Sequence, residues 1–239
     1  GTGLGLFVTD KIIKKHGGTG LNAGTNTDAT IYFVNFPSNK LELWAYLESG
    51  RFVDPVFREF YKERDVIAEE RRMRTENQVV GKLLEEMLAL CFKDHPYHFS
   101  VVGPMSNIKT IRRSDMWAYF KKNYTASNMV IGVYGDVTPK ELKKVANKYF
   151  SRIRKGQRNL PVTTVEPPQA GEKSMVLYEN SQPWLVLGYH CPSVRHPDFL
   201  KFNVLSNIFT NGRSSRLNKK MVIEDKSAMA MFSFTGLPG

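Results

Sequence analysis

Apolar residues recur along the chain with two periods, one typical of helices and one typical of strands. The helical period predicts helices over residues 10–16, 39–50, 55–77, 81–92, 114–123, 138–150 and 197–210. Alternating or continuous apolar runs predict strands over residues 29–36, 128–134, 174–179 and 184–191, and a further apolar run covers 228–234. Ser114 is a predicted N-cap, and Thr138 with Glu141 three positions later predicts a capping box. This order of elements is consistent with an α+β class.

The apolar pattern is interrupted between residues 155 and 173. This segment contains three prolines and no helical period, which is typical of a linker. After it, the order of strand, helix and strand begins again. The pattern therefore predicts a first domain over residues 1–154, a linker over 155–173, and the first part of a second, incomplete domain over 174–239.

The stretch from residue 55 to residue 77 predicts one long amphipathic helix, which we expect the rest of the chain to pack around. Asp54 and Pro55 form a start signal, and no further Gly or Pro interrupts the stretch. At about 100° per residue, one apolar stripe contains Val56, Phe57, Phe60 and Ile67. Glu63 and Glu70 lie on the edge of this stripe, two turns apart, whereas Glu69 points away among arginines.

Two interpretations of the inward-facing Glu63 and Glu70 follow from the cost of burying a carboxylate. A buried carboxylate is unfavourable unless it is paired with a cation or bound to a metal. Either the two glutamates meet buried Arg or Lys partners, or one is a metal ligand and the other a supporting acid. The helix alone leaves both open.

Composition narrows the classes of function. The chain of 239 residues is 41% hydrophobic and 24% charged, which is globular composition, and no apolar run is long enough to span a membrane. The net charge is +11, but the basic residues are scattered among acids and follow no nucleic-acid-binding motif, so we expect no nucleic-acid partner. Cys91 and Cys191 suggest no disulfide framework.

Four segments together resemble one known family. GGTGLNAGTNTDATIYF, KERDVIAEERRM, HPY and NGRSSRL are similar to segments of the insulinase/pitrilysin zinc peptidases, the inverzincins. The resemblance implies a mitochondrial-processing-peptidase-like metallohydrolase fold, in which helices pack on one face of a mainly antiparallel sheet and similar domains follow along the chain. It further implies a zinc ion held by two histidines of H-x-x-E-H and by a distant glutamate that corresponds to Glu70. Glu63, one heptad earlier, corresponds to the supporting acid.

The same resemblance assigns a substrate strand. Asn22, Ala23, Gly24 and Thr25 match the family's edge strand beside the zinc, where an extended peptide adds as an extra strand through main-chain hydrogen bonds. Gly24 suits a strand that a ligand backbone approaches closely. Without the resemblance, these residues are equally typical of a glycine-rich turn.

The sequence departs from the family at the zinc motif. It contains no H-x-x-E-H, and its five histidines have other spacings. Gly1-Thr2 corresponds to a Gly-Thr that follows the motif in the family. We therefore expect a truncated fragment of a zinc-dependent endopeptidase or oligopeptidase, which binds no zinc by itself and is inactive alone. The alternative is a non-catalytic partner subunit of a family peptidase. Peptide substrate, a second copy of the chain and a family partner subunit are the expected partners.

Overall fold

A computed structural model describes residues 11–236, and the Gly1-Thr2 pair lies outside these residues. The described chain divides into two compact units. The first consists of residues 11–25, 30–82 and 100–165, and the second of residues 26–29, 83–99 and 166–236. Helices and a small antiparallel sheet occur together, which confirms the α+β class. Within the described residues, no helix has the length and apolar character needed to cross a membrane.

The first unit contains both strands of the sheet and most of the helices. Its elements are α1 (residues 11–15), β1 (Thr19–Thr25), β2 (Thr30–Asn35), α2 (Leu41–Val53), α3 (Phe60–Arg71), α5 (Met105–Thr110), α6 (Arg113–Asn123) and α7 (Pro139–Tyr149). A π-helical segment, Arg72–Glu76, continues α3. The two strands pair antiparallel, with Asn22 opposite Phe33 and Thr25 opposite Thr30, and the register is irregular between Thr19 and Asn22.

Aromatic packing joins α2 to the end of α7. The rings of Trp44 and Phe150 lie 5.6 Å apart, those of Tyr46 and Tyr149 lie 6.1 Å apart, and Ala45 between them is fully buried. Beside this aromatic contact, Lys148 Nζ lies 2.5 Å from Glu42 Oε1. Burial of apolar surface at this contact stabilises the unit.

Helix α3 begins five residues later than the sequence predicts. Helix α2 extends to Val53, so the chain needs residues 54–59 as a connection, and Pro55 belongs to it instead of opening a helix. Phe57 holds this connection by packing edge-on against Trp117 and Phe120, at 5.0 and 5.8 Å. Tertiary contact of Phe57 therefore overrides the local start signal.

The second unit contains most of α4 (Val79–Cys91), a 3-10 turn (Pro96–His98), α8 (Phe199–Thr210) and a π-helical segment (Asn218–Glu224). Gly188 approaches α4 so closely that a Cβ at this position would lie 2.9 Å from Cys91 Sγ. The rings of Phe92 and His190 meet at 5.3 Å. Close packing at Gly188 thus joins the segment after residue 166 to α4.

The three strands predicted over residues 128–134, 174–179 and 184–191 do not form, which corrects the sequence-based prediction, and the apolar run over 228–234 likewise forms no strand. Several of their apolar side chains are almost fully exposed, including Val130 at 98% and Tyr178 at 92%. Strand propensity describes side chains that fit a pleated, half-buried surface, but a strand forms only where a neighbour supplies hydrogen bonds. Within the described residues, only β1 and β2 supply such partners to each other.

Candidate functional site

The predicted substrate strand is a regular strand of the first unit. Asn22, Ala23, Gly24 and Thr25 form the second half of β1, and all four are exposed. Within residues 11–236, β1 pairs with β2 and with no other strand. In an antiparallel pair, alternate residues direct their N–H and C=O groups away from the partner strand. Among the described residues, therefore, no further strand is bonded to the outer edge of β1.

Gly24 leaves the face of the sheet open at this point. A Cβ placed on Gly24 would meet no atom of the described residues within 4 Å. Beside it, Thr25 and Thr30 bring their hydroxyl groups to 3.2 Å of each other and fix the end of the hairpin. Asn22 Oδ1 accepts a hydrogen bond from the N–H of Ala23 at 2.8 Å.

The predicted acidic pair lies on α3. Glu63 is half-buried, and the side chain of Glu70 is 40% exposed. Glu70 Oε1 lies 2.8 Å from Arg74 Nη1, one turn further along, so this carboxylate has a cationic partner. Glu69 is 62% exposed and pairs with Arg72. Glu63 and Glu70 are seven residues apart and share one face, while Glu69 belongs to another.

The buried face of α3 and of the π-helical segment after it differs from the predicted apolar stripe. Ala68, Arg71 and Thr75 are buried, whereas Ile67 is 43% exposed and Val56 is 54% exposed. Arg71 Nη1 donates to the carbonyl oxygen of Gly103 at 2.6 Å, and its Nε donates to Glu76 Oε1 at 3.2 Å. Because its guanidinium finds these partners, Arg71 takes an inward position that the apolar period assigns to Ile67.

Metal binding requires more donors than these residues provide together. No cluster of three or more His, Cys, Asp or Glu side chains suited to a metal ion occurs within residues 11–236. A zinc site needs three or four nitrogen, sulfur or oxygen ligands, and Glu70 is a single carboxylate with an arginine bound to it. The described residues therefore do not fit zinc by themselves, and no catalytic step follows from them.

The loop that contains HPY is ordered by its own side chains and by one distant glutamate. His95 Nδ1 accepts from the N–H of Tyr97 at 3.3 Å, and the two rings lie 4.2 Å apart. Glu166 accepts from the N–H groups of Lys93, Asp94 and His95 at 2.6, 2.9 and 2.9 Å. Sequence reasoning missed Glu166, because no local pattern connects it to a loop more than seventy residues earlier.

Comparison with known proteins identifies the family. The family model described as "Peptidase M16 inactive domain" matches residues 110–237, slightly more than half of the chain. The chain belongs to the M16 peptidase family. This confirms the resemblance to insulinase/pitrilysin peptidases drawn from the sequence motifs.

Individual M16 relatives match over most of the chain. It is 30% identical over 230 residues to zinc protease PqqE of Helicobacter pylori, covering 94% of this chain and 52% of that protein. It is 26% identical over 239 residues to a probable mitochondrial-processing peptidase subunit beta of Schizosaccharomyces pombe, covering 91% of this chain and 50% of that protein. The chain thus spans about half the length of the curated relatives it matches.

Solved M16 structures share the fold. The crystal structure of a protease from Helicobacter pylori matches with a TM-score of 0.83 and 28% identity, covering 94% of this chain and 56% of that one. The M16 inactive domain from Pseudomonas fluorescens matches with a TM-score of 0.71 at 17% identity, covering 92% of this chain and 54% of that one, a likeness in fold alone.

Proposed function

We propose that these 239 residues are the peptide-binding part of a zinc-dependent M16 endopeptidase, and that β1 receives the substrate as an additional strand. The open outer edge of β1 at Asn22 to Thr25 is the observation that carries this proposal. An extended peptide placed there gains main-chain hydrogen bonds with little dependence on its side chains. The kinship to a protein named zinc protease supports the reaction class.

In this proposal, Glu70 is the zinc-ligand carboxylate of the whole enzyme and Glu63 its supporting acid. Their common face on α3 and the partial exposure of both side chains support these roles. The ion pair of Glu70 with Arg74 must then open when the metal binds. Since the sequence contains no H-x-x-E-H, the imidazole ligands and the general base are not among these residues.

The strand-addition proposal is tested with the full chain and an unstructured peptide. Amide hydrogen exchange is measured by NMR with and without the peptide. We expect alternate amides among residues 22–25 to gain protection. A peptide N-methylated at alternate positions is the matched ligand control, because it keeps its side chains but cannot complete a strand ladder. Equal binding of the methylated and unmethylated peptides would overturn the proposal.

A variant tests the same edge from the protein side. Gly24→Pro should weaken peptide binding by about tenfold, because proline has no main-chain N–H to donate and disturbs the strand geometry of β1. Gly132→Pro is the control: Gly132 also has open space around it but lies in a segment without regular structure. Exchange rates of the β2 amides show whether the hairpin survives the Gly24 substitution.

A cleavage assay tests the proposal that these residues are inactive alone. The purified chain, supplied with zinc, is incubated with an unstructured peptide, and we expect no cleavage above the rate of a buffer control. One or two carboxylates without imidazole ligands do not generate a zinc-bound hydroxide. Cleavage that a chelator abolishes would contradict the proposal that the imidazole ligands of the zinc lie outside these residues.

The second candidate function is a non-catalytic partner subunit. The description "inactive domain" of the matching family and the relatives named "subunit beta" favour it. Mixing the chain with an M16 peptidase that contains H-x-x-E-H separates the two candidates. A partner subunit forms a stable complex and raises peptide cleavage, whereas the peptide-binding part of another enzyme does neither.

A further inference from the structure

A cavity of about 220 Å³ opens between the end of α2 and helix α6 in the first unit. Its apolar lining is largely aromatic, with Phe52, Trp117, Phe120 and Tyr124. The rings of Phe120 and Tyr124 stack at 4.7 Å, and Phe52 stacks on Tyr124 at 6.2 Å. The walls are therefore built mainly of aromatic side chains, and an aromatic ligand packs well against such surfaces.

Contacts outside the cavity hold these rings in place. The hydroxyl groups of Tyr124 and Tyr32 lie 3.1 Å apart, and the ring of Tyr32 packs edge-on against Phe52 at 5.6 Å. Trp117 is fixed from behind by Phe57, at 5.0 Å. Because each ring has a packed or hydrogen-bonded partner, the aromatic lining is largely preformed, which reduces the ordering cost of binding.

The rim of the cavity carries an excess of positive charge. Lys121, Arg152 and Arg154 line it, against the single carboxylate of Asp54. Within the described part of the chain, none of the three cations forms an ion pair with a carboxylate. Lys121 Nζ instead lies 5.6 Å from the centre of the Trp117 ring. Two exposed guanidinium groups beside an aromatic floor can form charge-assisted hydrogen bonds to an anion.

We propose that this cavity binds a small anion attached to a single aromatic ring, such as an aryl phosphate or an aryl carboxylate. The ring packs among Trp117, Phe120 and Tyr124, while the anionic group meets Arg152 and Arg154. The volume sets the size class: pockets for drug-sized ligands measure roughly 300–1,000 Å³, so this smaller cavity takes one ring. The site is separate from β1 and from the glutamates of α3, and it does not depend on the proposed peptidase role.

Phenyl phosphate is the probe that tests the site in the full chain. The indole N–H resonance of Trp117, assigned with a Trp117→Phe variant, is followed by NMR during titration. We expect a saturable shift at low salt that weakens at 0.5 M NaCl, since exposed charges are screened there. Inorganic phosphate lacks the ring and benzyl alcohol lacks the charge, so both should bind at least about tenfold more weakly.

Matched double variants locate the anion. Arg152→Ala with Arg154→Ala should weaken phenyl phosphate binding by about tenfold or more. Lys155→Ala with Arg158→Ala removes the same charge from exposed residues that do not line the cavity and should leave affinity unchanged. Circular dichroism checks that both variants fold. No saturable shift, equal affinity for inorganic phosphate, or equal losses in the two double variants would each overturn the proposal.

Discussion

Glu166 is held by three consecutive backbone N–H groups, those of Lys93, Asp94 and His95. Desolvation raises the pKa of its carboxyl group, but the three donors outweigh this and lower the pKa to about 2. The carboxylate therefore stays ionised across the physiological range. It fixes the start of the segment after residue 165 to the loop that follows α4.

Replacing Glu166 by Gln should destabilise the second unit at neutral pH, because Gln keeps an acceptor oxygen but loses the charge. A carboxyl group with a lowered folded-state pKa stabilises the fold above its unfolded pKa, near 4.5 here, and loses that contribution as pH falls. We therefore expect the wild-type protein to lose stability as the pH falls from about 5 to 2. The unfolding temperature of Glu166→Gln should depend less on pH in this range. Thermal unfolding measured across pH checks this.

The matched control is Glu172→Gln. Glu172 is exposed on the same segment and makes no hydrogen bond or ion pair within the described residues. Its substitution should leave the unfolding temperature, and the loss of stability at acid pH, unchanged. If Glu166→Gln and Glu172→Gln behave alike, the hydrogen bonds of Glu166 contribute nothing to stability.

At the scale of elements, the predicted helix starts at Ser114 and Thr138 have different outcomes. The capping box of α7 is confirmed: Thr138 Oγ1 accepts from the N–H of Glu141 at 3.3 Å, and Glu141 Oε2 accepts from the N–H of Thr138 at 3.0 Å. The predicted cap at Ser114 is wrong, because α6 begins at Arg113. There Asp115 Oδ2 accepts from the N–H of Arg112 at 2.9 Å.

These caps predict a contrast between two similar substitutions. Thr138→Ala should lower the free energy of unfolding by about 1 kcal/mol, since it leaves an N-terminal N–H of α7 without its side-chain acceptor. Ser114→Ala should change it by less than about 0.5 kcal/mol, the usual range for surface positions. Urea unfolding monitored by circular dichroism measures both. A larger loss for Ser114→Ala would contradict the assigned helix start.

On the scale of the whole molecule, exposed apolar side chains are concentrated in the segments where the sequence predicts strands. Val130, Tyr134, Tyr178, Leu185 and Tyr189 are each at least 81% exposed. Val130 and Tyr134 belong to the first unit, and the other three belong to the second. Exposed apolar surface often marks an interaction site, so we expect each unit, and the edge of β1, to associate with another chain.

Self-association of the purified chain is the measurable consequence. Light scattering coupled to size-exclusion chromatography should give a mass above 27.3 kDa that rises with protein concentration. Val130→Ser with Tyr134→Ser should shift the equilibrium toward monomer. Leu160→Ser, which changes a 90% exposed leucine in the predicted linker, serves as the control. A monomer at all concentrations would contradict the expectation.

We retain residues 155–173 as the proposed domain boundary and predict where proteolysis begins. Residues 155–159 are tethered: Ser127 Oγ donates to the carbonyl oxygen of Lys155 at 2.7 Å, and the N–H of Asn159 donates to Asn128 Oδ1 at 2.7 Å. Residues 160–165 are exposed, with Leu160 at 90% and Val165 at 84%. Proteinase K should therefore cut first within 160–165. First cuts inside α6 or α7 would contradict this boundary.

The sequence by itself determined what depends on local periodicity and on motifs. It predicted α4, α7 and α8 to within a few residues, the strand β2, the capping box at Thr138, the α+β class and the M16 family. These features rest on neighbours a few positions apart, where side-chain type and spacing dictate the hydrogen bonds and the apolar face.

Only the tertiary structure decided what depends on contacts between distant segments. Phe57 delays the start of α3 by packing on α6, Arg71 replaces Ile67 on the buried face, and Glu166 binds a loop more than seventy residues earlier. The predicted strands after residue 127 lack partners among the described residues for the same reason. A buried polar group or a strand is stable only when its partner is in place, and that partner is set by the fold and not by adjacent residues.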